Sequence, residues 1–171
     1  KKTTSDSALT TEAGGTATVQ VRLTSMPLST VTIAPTSSDN GEGQVSPDTL
    51  SFTNKNWNTY QTLTITGVDD NVTDGTQSFQ INFSLSTEDT KYSSLSVSSL
   101  SMSNKDDEVA GVVVGTISGN TTESGGTATF TVKLNSQPEA GVAISVSSSN
   151  TDEGTVSHST LEFSTSNWNN S

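Results

Sequence analysis

The chain has 171 residues, room for one large domain or for one and a half of about 100 residues each. Hydrophobic residues make up 29% and charged ones 15%, and the balance is largely Ser, Thr, Asn and Gly, which suits short strands and turns and speaks against a helical protein. Seven basic against 18 acidic residues leave a net charge of −11, which excludes a nucleic-acid backbone or an anionic membrane surface as partner, and the absence of Cys excludes disulfides and thiolate metal sites.

The first residues, Lys-Lys-Thr-Thr, have neither a starting Met nor the apolar core of a signal peptide, so the piece reads as taken from something longer. No apolar run approaches membrane-spanning length, and no membrane insertion is expected of it. Apolar alternation then predicts a short strand near residues 4 to 9, followed by Thr16 to Thr24 with Val19, Val21 and Leu23 inward. Next come Thr30 to Thr36 (Val31, Ile33), Gln44 to Thr53 (Val45, Leu50, Phe52) and Tyr60 to Gly67 (Leu63, Ile65). Gln77 to Leu85 (Phe79, Ile81, Phe83) and Leu95 to Ser103 (Leu95, Val97) complete the set. Turn signals such as Ser-Pro-Asp and Thr-Asp-Gly separate these runs. Seven short antiparallel strands in about 110 residues define an all-β fold, an immunoglobulin-like antiparallel β-sandwich.

From Thr10 the chain begins to repeat itself. "TTEAGGTATVQVRL" at Thr10 returns as "TTESGGTATFTVKL" at Thr121, an offset of 111 residues that holds without a gap to the end, with Trp57 on Trp168 and Glu42 on Glu153. About half of the aligned positions are identical, as expected for a duplicated structural unit, and the period is that of a whole domain. Two repeats follow: residues 1–109 as a complete sandwich, and residues 110–171 as the first half of a second, truncated one. The second opens on a strand Ala110 to Ile117 and stops at "NWNNS", where the first continues "NWNTYQTLTITGVDD". A half-sandwich leaves Phe130, Val132, Leu134, Val142, Ile144 and Leu161 with an open apolar face, so completion by another chain or by a continuation of this one is expected.

The acids gather in loops. "GVDDNVTDG" (67 to 75) fails as an EF-hand loop: counted from Asp69, the fifth position is Thr73, the sixth is Asp74 and the twelfth is Gln80. In a sandwich, however, loops between strands meet at the ends of the molecule. Antiparallel connectivity allows Glu12, Asp39 with Glu42, Asp69 with Asp70, and the run Asp106-Asp107-Glu108 to share one end. Carboxylates about 4 Å apart repel by ~1 to 4 kcal/mol per pair, so such a cluster calls for a cation or for protons. Calcium, hard and tolerant of mixed oxygen ligands from flexible loops, fits best.

The opening "TTEAGGTATVQVRL", the stretch "LTITGVDDNVTDGTQSFQINF" and the acidic "NKDDE" together resemble the Calx-beta repeats of sodium-calcium exchangers and of large bacterial surface proteins. The resemblance covers the first repeat and the first half of the second. It implies a seven-stranded sandwich that binds Ca2+ at one end, with ligands falling on Glu12, Asp69, Asp70, Asp74, Asp106 and Asp107, and on Glu108 as a further one. Where the family often carries a second acid after the Asp pair, this chain has Gln77, which implies one or two ions; in the second repeat only Glu123, Asp152 and Glu153 remain, and no complete site is expected there.

The expected function is that of a non-catalytic calcium-binding repeat module in a secreted or bacterial cell-surface protein, a calcium-stiffened spacer or adhesion stalk whose partners are adjacent repeats. One His158 in a turn and no Cys remove most nucleophile-base pairs. Two alternatives stand beside it. Trp57 and Trp168, each in "NWN", suit a carbohydrate-binding module and cell-surface glycans, although recurrence at one place in each repeat favours a structural aromatic. A filament subunit that self-assembles through its incomplete second repeat is the other. Asp39, Glu42, Glu88 and Asp89 read as solvated loop acids.

Overall fold

The computed structural model describes residues 2–4, in their backbone only, and residues 8–170. Two compact units divide the chain: residues 1–70 with 74–107, and residues 108–171 with the short segment 71–73. The first unit packs two sheets face to face. One holds β1 (Lys2–Thr4), β3 (Thr16–Val21), β7 (Gln61–Gly67) and β5 (Gly43–Ser46) in the order β1-β3-β7-β5. The other holds β2 (Leu9–Thr11), β9 (Leu100–Lys105), β8 (Gln77–Ser86), β4 (Val31–Ser37) and β6 (Leu50–Phe52) in the order β2-β9-β8-β4-β6. The all-β sandwich expected from the sequence is therefore the fold.

Period-two alternation builds its core. In β3 every second residue is buried, Ala17, Val19 and Val21, and they face Phe52, Ile33 and Ile81 from the opposite sheet within one continuous apolar cluster. Leu63, Ile65, Val31, Phe52 and Ile81 are each 0% exposed. Full burial of such a side chain contributes about 1.5 to 3 kcal/mol, so these positions carry much of the sandwich's stability.

Four expectations need correction. The run Gln44 to Thr53 is two strands in different sheets, β5 and β6, because Pro47 between them lacks the N–H that a continuous ladder needs. The strand expected from Leu95 begins only at Leu100; a short helix α1 (Thr90–Ser93), capped by Asp89, precedes it, and Leu95 is 54% exposed. Not all pairs are antiparallel, since β2 runs parallel to β9. The strand foreseen near residues 4 to 9 falls partly outside the described residues, and the described parts form β1 and β2 in separate sheets.

That last split matters for function. β2 ends in one sheet and β3 starts in the other, so the turn at residues 12–15 crosses the end of the sandwich, with Gly14 at φ +79° supplying the left-handed residue. The ladder registers show which loops share this end. Thr16 lies opposite Thr66, Gly43 opposite Gly67, and Gln77 opposite Asn104, while Thr11 pairs with Lys105. The 12–15, 38–42 and 68–76 loops and the chain after β9 therefore emerge together.

Gly67 shows how tightly they meet. A Cβ there would fall inside contact distance of the Thr11 carbonyl and the Asn104 side chain. Backbone has little freedom to yield, so Gly67→Ala is expected to cost about 2 to 3 kcal/mol, read as a lower urea midpoint with an unchanged slope.

The second unit is less complete. β10 (Val112–Val114) pairs with β11 (Val132–Leu134), and β12 (Val142–Ser145) pairs with β13 (Thr160–Phe163), as two separate two-stranded sheets. The expected strand Ala110 to Ile117 is thus shorter. Local details recur at the repeat offset: the Leu23 N–H donates to the Trp57 carbonyl at 2.8 Å, and the Leu134 N–H to the Trp168 carbonyl at 2.8 Å.

Candidate metal centre

At the loop end of the first unit, Glu12, Glu42 and Asp70 each offer a carboxylate oxygen within 4.8 Å of the others. Glu12 is 2% exposed, an unusual state for an acid, and Glu42 and Asp70 are half-buried. The backbone holds these residues in place from several strands. The Glu12 N–H donates to the Lys105 carbonyl at 3.0 Å, tying the 12–15 turn to the end of β9, and the Val68 N–H donates to the Glu42 carbonyl at 3.1 Å. Asp107 also offers an oxygen within 4.8 Å of one of Glu12.

A buried amide lies beneath the acids. Asn104, 0% exposed, accepts from the Thr10 hydroxyl at 2.9 Å through Oδ1 and donates through Nδ2 to the Val68 carbonyl at 2.9 Å and, more weakly, to Glu42 Oε2 at 3.4 Å. It therefore joins β2, β9, the 68–76 loop and the acid cluster in one network. Burial pushes the Glu42 carboxyl above its ordinary value, and the charges of Asp74, Asp39 and Asp70 push the same way against the hydrogen bond from Asn104.

The sequence-derived ligands divide. Glu12, Asp70 and Asp107 come to the cluster. Asp69 and Asp74 are exposed and stand outside the grouped carboxylates, although Asp74 is close enough to act on Glu42 through its charge. Asp106 takes a different part: its Oδ2 accepts from the Gly75 N–H at 2.6 Å, pinning the 68–76 loop to the chain after β9, and Gly75 sits at φ +78°. Glu108 belongs to the second unit, where it is half-buried. Asn71–Thr73, the middle of the "GVDDNVTDG" stretch, also group with that unit, and there the Gln137 N–H donates to the Asn71 carbonyl at 2.7 Å.

Two acids read as solvated are not. Glu42 is a member of the cluster, and Asp89 is 5% exposed, accepting from the Leu28 N–H at 2.7 Å and the Lys91 N–H at 2.9 Å. Those backbone donors, Leu28 foremost, hold the Asp89 carboxyl below its usual range. Asp39 does remain exposed, closing its own turn through the Gly41 N–H at 2.9 Å. Trp57 is half-buried and packs against the core.

No protein-family model matches the sequence, and no curated protein does. Among solved structures it is similar to SSP-19, an MSP-domain protein like family member of Caenorhabditis elegans, at 9% identity and a TM-score of 0.40, over 58% of this chain and 92% of that one. It is similar to the class 5 fimbriae chaperone CfaA at 11% identity and a TM-score of 0.41, over 96% and 79%. A chain of the CsuC-CsuE chaperone-tip adhesion subunit complex of Acinetobacter baumannii Csu pili gives 13% and 0.43, over 91% and 82%. No helix among the described residues is long and apolar enough to cross a membrane.

Proposed function

We propose that the first unit is a non-catalytic calcium-binding module of the Calx-beta kind, a spacer or adhesion-stalk repeat of a secreted or cell-surface protein. One observation carries the reading: a carboxylate only 2% exposed, Glu12, stands within 4.8 Å of Glu42 and Asp70 oxygens. Ionised pairs at that separation repel by about 1 to 4 kcal/mol each in a partly screened site, and a divalent cation turns this cost into attraction. The donors are all hard carboxylate oxygens brought together from separate loops, which is the donor set Ca2+ takes. Glu12, Glu42 and Asp70 would hold the ion, with Asp107 beside them, while Asn104 and Asp106 position the loops. A bound ion would clamp the last residues of the first unit to its 12–15 turn. With a dissociation constant near 0.1 mM, ~1 mM calcium would stabilise the folded unit by about 1.4 kcal/mol.

Protons compete with the ion for Glu42. In cation-free protein a raised folded pKa means that the folded state binds this proton more tightly than the unfolded chain does. Its contribution to stability is fully present below the ordinary value of 4.5 and is lost as pH rises through the raised folded value. Cation-free melting temperature is therefore expected to rise as pH falls through that window, and calcium affinity to fall over the same range. Glu42→Gln should flatten the first trend, as thermal melts in chelator at several pH values would show.

A further inference from the structure

The turn after β4 recurs after β12 with different chemistry in it. In the first repeat Asp39 Oδ1 accepts from the Gly41 N–H at 2.9 Å, and the Asp39 carbonyl accepts from the Gly43 N–H at 3.1 Å and from the Ser37 hydroxyl at 2.7 Å. In the second, Asn150 Oδ1 accepts from the Asp152 N–H at 3.1 Å, and the Asn150 carbonyl accepts from the Gly154 N–H at 3.2 Å and from the Ser148 hydroxyl at 2.9 Å. The same turn therefore forms with Asp or Asn at its first position. What differs is the pair that follows, Asn40-Gly41 against Thr151-Asp152, and both Asn40 and Gly41 are exposed.

We propose that Asn40 is a site of spontaneous deamidation, with the Asp39 carboxylate as the base. The backbone nitrogen after an Asn reaches the side-chain amide carbon most readily when it belongs to Gly, which has no Cβ to hinder the approach. Here that nitrogen lies 2.9 Å from Asp39 Oδ1, the reach a general base needs. A Cβ on Gly41 would stand 3.1 Å from the same oxygen, so Gly also leaves the base its room. In the first step Asp39 takes the Gly41 amide proton as the nitrogen bonds to Asn40 Cγ. The Cγ–Nδ2 bond breaks, and Nδ2 takes the proton from Asp39 and leaves as ammonia. Water then opens the cyclic succinimide. Attack at Cγ gives aspartate at position 40, and attack at the backbone carbonyl carbon gives isoaspartate, whose main chain runs through Cβ and Cγ. Either product adds a negative charge two residues before Glu42. Isoaspartate also lengthens the ring that the Gly43 N–H closes on the Asp39 carbonyl. No cation takes part, so the modification stands independently of the calcium reading.

The test incubates the folded 171-residue chain and its Asp39→Asn and Gly41→Ala variants at neutral pH and body temperature. Peptide mapping by tandem mass spectrometry then reads each Asn for a mass gain equal to water minus ammonia. Conversion at Asn40, to a mixture of aspartate and isoaspartate, is expected to be at least ~10-fold faster than at Asn150. It should fall at least ~10-fold in Gly41→Ala and in Asp39→Asn, a change the turn at Asn150 accommodates. Conversion at Asn40 no faster than at Asn150 would overturn the proposal. So would an equal rate in the Asp39→Asn chain, because the reactivity would then belong to the Asn-Gly pair alone.

Discussion

If the first unit binds calcium as proposed, Glu12→Gln is expected to weaken that binding while strengthening the cation-free fold. The side chain is 2% exposed and lies within 4.8 Å of carboxylate oxygens from Glu42 and Asp70, so the like charges of these two acids oppose its own. Gln preserves volume and one carbonyl oxygen, which confines the change to charge. Removing that charge relieves repulsion of about 1 to 3 kcal/mol in chelator, a rise in melting temperature of several degrees for a domain of this size. The same change takes a charged ligand from the ion, and calcium affinity should fall by roughly 10- to 100-fold. Melts with and without calcium would show the two curves approaching each other. If Glu12→Gln instead lowered stability equally in both conditions, Glu12 would be a structural carboxylate and the cation reading would fail.

Asn104→Ala carries the largest expected loss of stability. The amide is 0% exposed and makes hydrogen bonds to the Thr10 hydroxyl at 2.9 Å and the Val68 carbonyl at 2.9 Å, with a longer one to Glu42 at 3.4 Å. Truncation leaves buried polar groups without this partner and opens a void, together worth about 2 to 4 kcal/mol. Because the amide also orients Glu42 and the 68–76 loop, calcium affinity should fall in parallel. Urea titration monitored by Trp fluorescence gives the first quantity, and calorimetry gives the second. Asn104→Asp, close in shape, should be destabilised more in chelator than in calcium, since it adds a carboxylate beside Glu42.

Where the alternation is clean, the fold could be read from the sequence. Val19 and Val21 of β3, Val31 and Ile33 of β4, Leu63 and Ile65 of β7, and Phe79 and Ile81 of β8 all face inward as their spacing demands. The failure at β9 has a specific cause. Starting that strand at Leu95 puts odd-numbered residues inward, but a helical turn and an irregular segment intervene, and the inward residues are the even-numbered Met102 and Asn104. A slip of one residue exchanges the faces of a strand, and it hid a polar residue at an inward position, which was the signal for the network under the acids.

The site was readable as a set of loops but not as a set of ligands. Connectivity brings the 12–15, 38–42 and 68–76 loops together, and local pattern marks Glu12 and Asp70 as notable. Glu42 escaped because a turn acid after Asp39 and Asn40 looks like any solvated one, and its place beside Glu12 and Asp70 follows from the pairing of Gly43 with Gly67 across the sheet. Asp106 was assigned as a ligand through the family resemblance, and in the structure its Oδ2 accepts from the Gly75 N–H, tying the 68–76 loop to the chain after β9. The stretch "GVDDNVTDG" itself contributes one cluster member, Asp70, and its neighbours serve the loop around it.

Calcium titration of the 171-residue chain by isothermal calorimetry, paired with a thermal melt of the same sample in chelator, tests the central claim most directly. Saturable binding is expected in the range of about 10 μM to 1 mM, with a melting temperature roughly 5 to 10 °C higher in ~1 mM calcium than in chelator. Absence of binding heat up to several millimolar, with superimposable melts in calcium and chelator, would contradict it.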